Sequence, residues 1–385
     1  MDHLDLKYGC NPNQGQAGIS REGETLPLQV LNGSPGYINL LDALNGWQLV
    51  SQLAQVTGLS AATSFKHVSP AGAAVSLPLN ETEKRMYFID EEEELSPLAT
   101  AYVRARGADR MSSFGDFISL SDHCDMQTAR IIKREVSDGV IAPSYDPAAL
   151  ALLRKKKGGK YVVLQMDASY EPSLLETRTV YGITFTQERN TITLDASVLE
   201  PIVTENKELS EEARLDLLVA LNALKYTQSN SVCFAKRGQT IGVGAGQQSR
   251  IHCTRLAGEK ADAWHLRQAK QVLDLPFLPS LSRNEKDNAV EAYLRCEIHD
   301  SKQYFSEEVS PLTLVEKQHI LEACSGVSLA SDAFFPFRDN IDRAAESGVS
   351  YIVQSGGSVR DDVVIKACDE HGILMVCNAI RLFHH

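Results

Sequence analysis

The chain has 385 residues, of which 43% are hydrophobic and 23% charged, with a formal net charge of −12 and a pI near 5.4. That length allows two or three domains with a large buried core. The acidity, with no block of five or more Lys/Arg, argues against a nucleic-acid or membrane-surface role. No stretch reaches the roughly 18 apolar residues of a membrane helix. Eight cysteines (Cys10, Cys124, Cys233, Cys253, Cys296, Cys324, Cys368 and Cys377) include no CxxC pair, and the N-terminus lacks a basic-then-apolar leader, so the thiols read as reduced and the protein as cytoplasmic.

Apolar periodicity predicts a helix over 40–57, with Leu40, Leu41, Leu44, Trp47, Leu49, Val50, Leu53 and Val56 on its inner side. A buried strand follows over 61–68, ended by a turn at Pro70-Ala71-Gly72. Next come a helix over 128–136, a strand over 139–143, a helix over 147–156, and strands over 162–165 and 183–187. The second half reads helix 211–224, strands 232–235 and 240–243, helix 340–347, strand 351–354, helix 363–371 and strand 373–377. The alternation defines an α/β protein with a largely parallel or mixed sheet.

The pattern repeats. One unit runs from Lys66-His67 through Ser113–Phe117 to Ser137–Ala142; the other runs from Lys225-Tyr226 through Ser331–Phe335 to Ser347–Ile352. The longer spacing in the second unit is accounted for by a polar, helix-patterned insertion at 265–323. The expected division is 1–175 for the first unit, 176–264 with 324–385 for the second, and 265–323 for the insertion.

Within this frame, Lys66 and His67 place a cation beside a base that titrates near neutral pH, the equipment for acyl-type transfer to an amine. Adjacent strand residues also point to opposite faces, so a solvated lysine beside a structural histidine is the plain alternative. Arg104, Arg106 and Arg110, near a Ser/Gly loop, suit an anionic ligand or ordinary ion pairs equally. The glycines of Gly242–Gly246 let backbone N–H groups approach a ligand, although neither a dinucleotide fingerprint nor a P-loop is present. Thr227, Ser229 and Ser231 fall on one face of a strand, as possible ligands of a hard cation or simply as a half-polar face. Phe334, Phe335 and Phe337 are available for stacking on a flat heterocycle or for the core.

Taken together, Leu6–Gln14, Phe65–Gly72, Lys225–Ser231, Gly244–Leu256 and Ser331–Asp339 resemble the transformylase part of a purine-biosynthesis family. Members of that family join 5-aminoimidazole-4-carboxamide ribonucleotide (AICAR) formyltransferase to inosine-monophosphate (IMP) cyclohydrolase. The resemblance runs from Leu6 to His385 and lacks a cyclohydrolase part. It implies two tandem cytidine-deaminase-like α/β/α units with a helical insertion in the second, and formyl transfer from 10-formyltetrahydrofolate to the 5-amino group of AICAR. It assigns His67 as the base, Lys66 as the oxyanion stabiliser and Asn230 as a contact to the reacting nucleotide. Lys7, Tyr8, Gly115, Asp138, Arg250 and Arg381 match AICAR contacts, and Ile251, Phe334, Asp339, Ser358 and Val359 match folate contacts. Thr227, Ser229, Ser231 and Asp332 fall where the family has a potassium site. A homodimer with sites at its interface and a separate IMP cyclohydrolase as pathway neighbour are also implied. No His-x-Glu…Pro-Cys-x-x-Cys zinc signature is present, which disfavours deamination. Lys7 stands where many members have arginine, losing the bidentate grip on phosphate, and Asn13 replaces a common histidine. A catalytically silent nucleotide- and folate-binding protein is the alternative from another class; the retained Lys66, His67 and Asn230 favour the enzyme.

Overall fold

In the computed structural model, residues 2–21, 23–90 and 92–385 are described; Met1, Glu22 and Glu91 lie outside the described residues. Strands β1 (His3–Leu6) and β2 (Ala17–Ser20) pair as a small antiparallel ribbon, and β3 (Leu28–Asn32) leads into helix α1 (Tyr37–Thr57). The first half continues with β4 (Ala61–Lys66), β5 (Ser69–Val75), α2 (Glu81–Met86), α3 (Pro97–Gly107), β6 (Asp116–Leu120), α4 (Met126–Arg134), β7 (Ser137–Ala142), α5 (Pro147–Arg154) and β8 (Val162–Met166). A hairpin, β9 (Leu175–Val180) and β10 (Ile183–Glu188), then stands apart from the main sheet, with every residue of both strands exposed. The second half runs α6 (Glu211–Leu224), β11 (Val232–Lys236), β12 (Gln239–Gly244), α7 (Arg250–Leu266), α8 (Lys270–Leu273), α9 (Arg283–Arg295), α10 (Leu314–Glu322), β13 (Val327–Ser331), α11 (Asp339–Glu346), β14 (Val349–Gln354), α12 (Asp361–Glu370) and β15 (Leu374–Cys377).

Among the described residues one 11-stranded sheet carries the fold, in the order β15-β14-β13-β11-β12-β5-β4-β6-β7-β8-β3. The sheet is mixed. The pairs β13–β14, β14–β15, β6–β7 and β7–β8 are parallel, while the centre from β13 through β11, β12, β5 and β4 to β6 is antiparallel. Read outward from the middle, β5-β4-β6-β7-β8 and β12-β11-β13-β14-β15 have the same strand order, and each set is preceded by a helix, α1 or α6.

This topology corrects the register of the repeat. Lys66 ends β4, and its counterpart at the end of β11 is Lys236. Lys225 instead caps α6, the position that Gly58 holds after α1. Likewise Ser331 and Asp332 follow the apolar run of β13 as Ser121 and Asp122 follow β6, whereas Ser113 precedes β6. The mismatch arose because strings such as Lys-aromatic and Ser-x-Phe recur by chance, while the element order does not.

Helices cover both faces. α1 and α6 pack on one side through Leu40, Trp47, Leu49, Leu53, Leu217, Leu221 and Leu224; α3, α4, α7, α11 and α12 pack on the other through Tyr102, Ile132, Ala257, Ile341 and Val364. Alternate strand residues feed the two clusters, Ala61 and Phe65 one and Ala62 the other, as the two-residue period of a strand requires. Helices α8 to α10 gather a third cluster around Val272, Val290, Tyr293 and Phe305. Gly72 sets how closely α3 lies on β5: a Cβ there would stand 2.0 Å from the Ala105 carbonyl oxygen.

Candidate active site

Strands β5 and β12 join the two halves, but they pair at one register position, Gln239 opposite Ala74. From there they diverge toward the start of β5 and the end of β12. The opening is a cavity of about 540 Å³ lined by Lys66, His67, Ser69, Pro70, Ala71, Ser112, Gln228, Val243, Ala245, Gly246, Leu256 and Lys260. Pro70 is therefore not part of a turn, as its type suggested. It lies in β5 at a register shift opposite Ser64/Phe65, one of the few places where a strand tolerates a residue without an N–H.

The turn is His67-Val68 itself. Lys66 pairs with Ser69 across a two-residue loop, and both loop residues are left-handed, His67 at φ 53° and Val68 at φ 60°. Such loops fit the twist of a hairpin and normally use Asn or Gly. A β-branched valine there is an outlier, and each such residue costs roughly 1–3 kcal/mol unless its surroundings hold it. The surroundings are specific. Asp42, 5% exposed on α1, accepts the Val68 N–H at 2.7 Å, with the His67 N–H nearby. Burial pushes the Asp42 carboxyl up to about 6 against the effect of those N–H groups, with the Asp138 and Asp116 carboxylates adding to the rise. On the other side, the Lys66 ammonium donates to the Phe114 carbonyl, beside Gly115, and Asp138 on β7 is ion-paired to Lys157 at 2.7 Å. His67 is exposed at the pocket.

The loop that holds Lys66 is braced from below. Arg106 donates to the Ser113 carbonyl at 2.8 Å and pairs with Asp116 and Glu135 at 2.9 and 3.0 Å. Arg110 pairs with Asp287 of α9 at 2.6 Å, tying the helical segment to this corner. Arg104 pairs with Glu83 with both side chains fully buried. All three arginines thus bind the protein's own carboxylates, and the reading of them as ligand contacts is corrected. Burial alone would raise the Glu135 carboxyl; Arg110, Arg106 and Arg283 bring it down to about 2.

The second half supplies the other wall. The Gln228 N–H donates to the Ser69 hydroxyl at 3.2 Å and the Gln228 carbonyl accepts from Gly246 at 2.8 Å, which joins both halves at the cavity. Two residues on, the Asn230 side chain donates to the Gln247 carbonyl at 3.0 Å and accepts from Arg250 at 2.9 Å. Arg250 also donates to the Ser231 carbonyl and pairs with Asp332, so its guanidinium orients Asn230 rather than standing free.

The four residues matched to a potassium site have different hydrogen-bond partners. The Ser229 and Ser231 hydroxyls converge on Asp332 at 2.6 and 3.0 Å, but the Thr227 hydroxyl donates to the Ala223 carbonyl at 2.7 Å. Arg250 already balances the Asp332 charge. A hydroxyl that donates its proton keeps its oxygen lone pairs for a hard cation, so these bonds leave the four oxygens able to act as ligands. Among the described residues no group of three or more His, Cys, Asp or Glu side chains is arranged to hold a metal.

The residues that the sequence resemblance matches to folate contacts lie around the ends of β13 and β14. Phe334 is 42% and Val359 fully exposed, Ser358 follows the Gly356-Gly357 turn, Asp339 begins α11 and Ile251 lies in the first turn of α7. A hydrogen bond of 2.8 Å from Thr254 to Asn340 fixes α7 to α11. Arg381 lies beside this wall: the next residue, Leu382, donates to the Asp332 carbonyl at 2.8 Å, and Ser229 donates to the His384 carbonyl at 2.9 Å. Lys7 and Tyr8 are different. Lys7 stands 6.0 Å over the Tyr8 ring, and no hydrogen bond or ion pair among the described residues ties either to the cavity.

Asp42, Leu256 and Lys260 carry no sequence signal. Lys260, paired with Asp109 at 3.0 Å, and Leu256 sit one helical turn apart on α7, and nothing in their local pattern marks that face as a cavity wall.

Lys66 and His67 thus set a cation and an imidazole at the mouth of a cavity between two α/β halves. Residues 1–260 match the sequence model of a family described as AICARFT/IMPCHase bienzyme, and the chain belongs to that family. It is similar to bifunctional purine biosynthesis proteins PurH: 33% identical over 386 residues to that of Roseobacter denitrificans and 30% identical over 387 to that of Xylella fastidiosa. Each alignment takes in 99% of this chain but 59% and 58% of the relative, so the chain spans about three-fifths of the length of these proteins.

Proposed function

We propose that the chain is an AICAR formyltransferase, moving the formyl group of 10-formyltetrahydrofolate to the 5-amino group of AICAR in purine (IMP) biosynthesis. The observation that carries this reading is the Lys66–His67 turn, held in a strained form at a cavity walled by both halves, in a chain of this family. The amine nitrogen attacks the formyl carbon. His67 takes the proton that the nitrogen sheds, and the Lys66 ammonium stabilises the negative charge that develops on the formyl oxygen. The bond from the formyl carbon to N10 then breaks, and the leaving nitrogen receives the proton, giving formyl-AICAR and tetrahydrofolate. Asn230 contacts the nucleotide, with Gly115, Asp138 and Arg381 around it. Phe334, Ile251, Asp339, Ser358 and Val359 hold the folate. Arg250 acts through Asn230 and Asp332, and Thr227, Ser229, Ser231 and Asp332 are read as the residues that would hold potassium.

The two halves are read as tandem cytidine-deaminase-like units, 1–175 and 176–264 with 324–385, with 265–323 inserted; their matching strand order supports this. A homodimer is part of the proposal. The β9–β10 hairpin exposes Leu174, Leu175, Tyr181, Ile183 and Phe185, and such a ribbon is marginal in water by itself. Lys7 and Tyr8, unattached to the cavity of their own chain, are then read as contacts across that interface. The setting is read as cytoplasmic, in line with eight unpaired thiols. No helix among the described residues is long and apolar enough to cross a membrane.

The test is to mix the protein with AICAR and 10-formyltetrahydrofolate and follow tetrahydrofolate formation. Turnover is expected. Binding of both compounds without turnover would favour a silent binding protein.

A further inference from the structure

We propose that Asp42 is the positioning residue of the His67-Val68 turn: its carboxylate, reaching across from α1, holds the backbone N–H of Val68 and keeps Lys66 and His67 aimed into the cavity. As a role in turnover, this rests on the formyltransferase reading; as a statement about the turn, it stands on the geometry. Asp42 is buried in the second turn of a 21-residue helix, where a carboxylate is out of place unless something nearby uses it. What uses it is a backbone that would otherwise relax. Val68, a β-branched residue, is an outlier in the left-handed region, and its N–H donates to Asp42 at 2.7 Å.

The same device recurs where no chemistry is proposed. In the second half the turn after β11 is Arg237-Gly238, and its two N–H groups donate to Asp216 of α6 at 3.0 and 2.6 Å. A carboxylate on the helix before each hairpin therefore holds that hairpin's turn. The difference is need: Gly238 takes a φ of 71° without steric cost, whereas Val68 does not.

The charged groups acting on Asp42 are Asp116 of β6, neutralised by Arg106, and Asp138 of β7, paired with Lys157, while the Lys66 ammonium is engaged by the Phe114 carbonyl. From the packed helix α6, Lys225 reaches Gln52 of α1 at 3.2 Å. No cation pairs with Asp42 itself among the described residues, so its acceptor oxygens are left for the turn.

The experiment compares the parent, Asp42→Ala, Asp42→Ala with Val68→Gly, and Asp216→Ala. Two readouts are taken: formyl-transfer kinetics and amide hydrogen exchange of segment 64–72. Asp42→Ala is expected to speed exchange in that segment by about 10-fold or more and to lower kcat by roughly 10- to 100-fold, the scale of misplaced catalytic groups, with KM for AICAR changed far less. Adding Val68→Gly should recover part of the lost kcat, because glycine enters the left-handed region unaided. Asp216→Ala should lower the melting temperature without moving kcat. Unchanged exchange in Asp42→Ala overturns the proposal. So does a lack of recovery with Val68→Gly, or a fall in kcat with Asp216→Ala as large as that with Asp42→Ala. If the parent transfers no formyl group, the formyltransferase reading fails, and the exchange data alone decide whether Asp42 holds the turn.

Discussion

The turns after β4 and β11 occupy equivalent places in the two halves and are built differently. Each is a two-residue hairpin loop tied to an aspartate on the preceding helix, the β4 turn by the Val68 N–H and the β11 turn by the N–H groups of both Arg237 and Gly238. The β11 turn uses Arg237 and Gly238, and Arg237 is spent on the buried Glu83 at 3.0 Å, so this turn serves the fold. The β4 turn puts His67 and Val68 into the same left-handed conformation and leaves the His67 ring bare at a cavity. A backbone conformation that one half adopts cheaply is adopted by the other at a cost, and the cost falls where the proposed chemistry lies, as strain held by its surroundings tends to do.

This contrast can be broken in several places. The largest effect is expected at the structural turn: Glu83→Gln, which leaves Arg104 and Arg237 without their buried carboxylate, should cost about 3–5 kcal/mol in denaturant unfolding. Next, Lys66→Ala should lower kcat by roughly 10²- to 10³-fold while AICAR affinity stays nearly constant, since an oxyanion contact acts mainly in the transition state. Equal losses in binding and none in turnover would contradict the role given to Lys66. Gly238→Val asks whether the β11 turn tolerates what the β4 turn carries. A Cβ there meets Leu77 at 2.8 Å and Val75 at 3.0 Å, and the backbone strain alone should cost roughly 1–3 kcal/mol, with kcat unchanged.

The smallest effect is in pH. Burial raises the Asp216 carboxyl from 3.8 in the unfolded chain to about 6. The folded state therefore binds its proton more readily, the cost of ionising it is fully present above pH 6, and that cost is relieved as pH falls toward 4. Lowering the pH from 7 to 5 should stabilise the parent through this group by about 1 kcal/mol, and Asp216→Asn should lose that part of the pH dependence.

Much of this was legible in the sequence because each half repeats strong apolar periodicity, and because Lys66 and His67 stand side by side. The turn itself was misread. Pro70-Ala71-Gly72 has turn composition, yet a register shift admits Pro70 to β5 and close packing by α3 demands Gly72. No local rule predicts that His67 and Val68 adopt a conformation their side chains disfavour. Asp42 lies 25 positions earlier in an unremarkable helical stripe, so its role exists only once α1 lies on the hairpin. The three arginines illustrate the opposite error: their partners, Glu83, Asp116, Glu135 and Asp287, are scattered along the chain, and the anion they await is internal.

The most direct measurement is kcat for formyl transfer with His67→Ala and Arg237→Ala side by side, each altering one of the two equivalent turns. The account predicts a loss of at least about 100-fold for His67→Ala, the scale of a missing general base, and a value close to the parent's for folded Arg237→Ala. Comparable turnover in the two variants would contradict it.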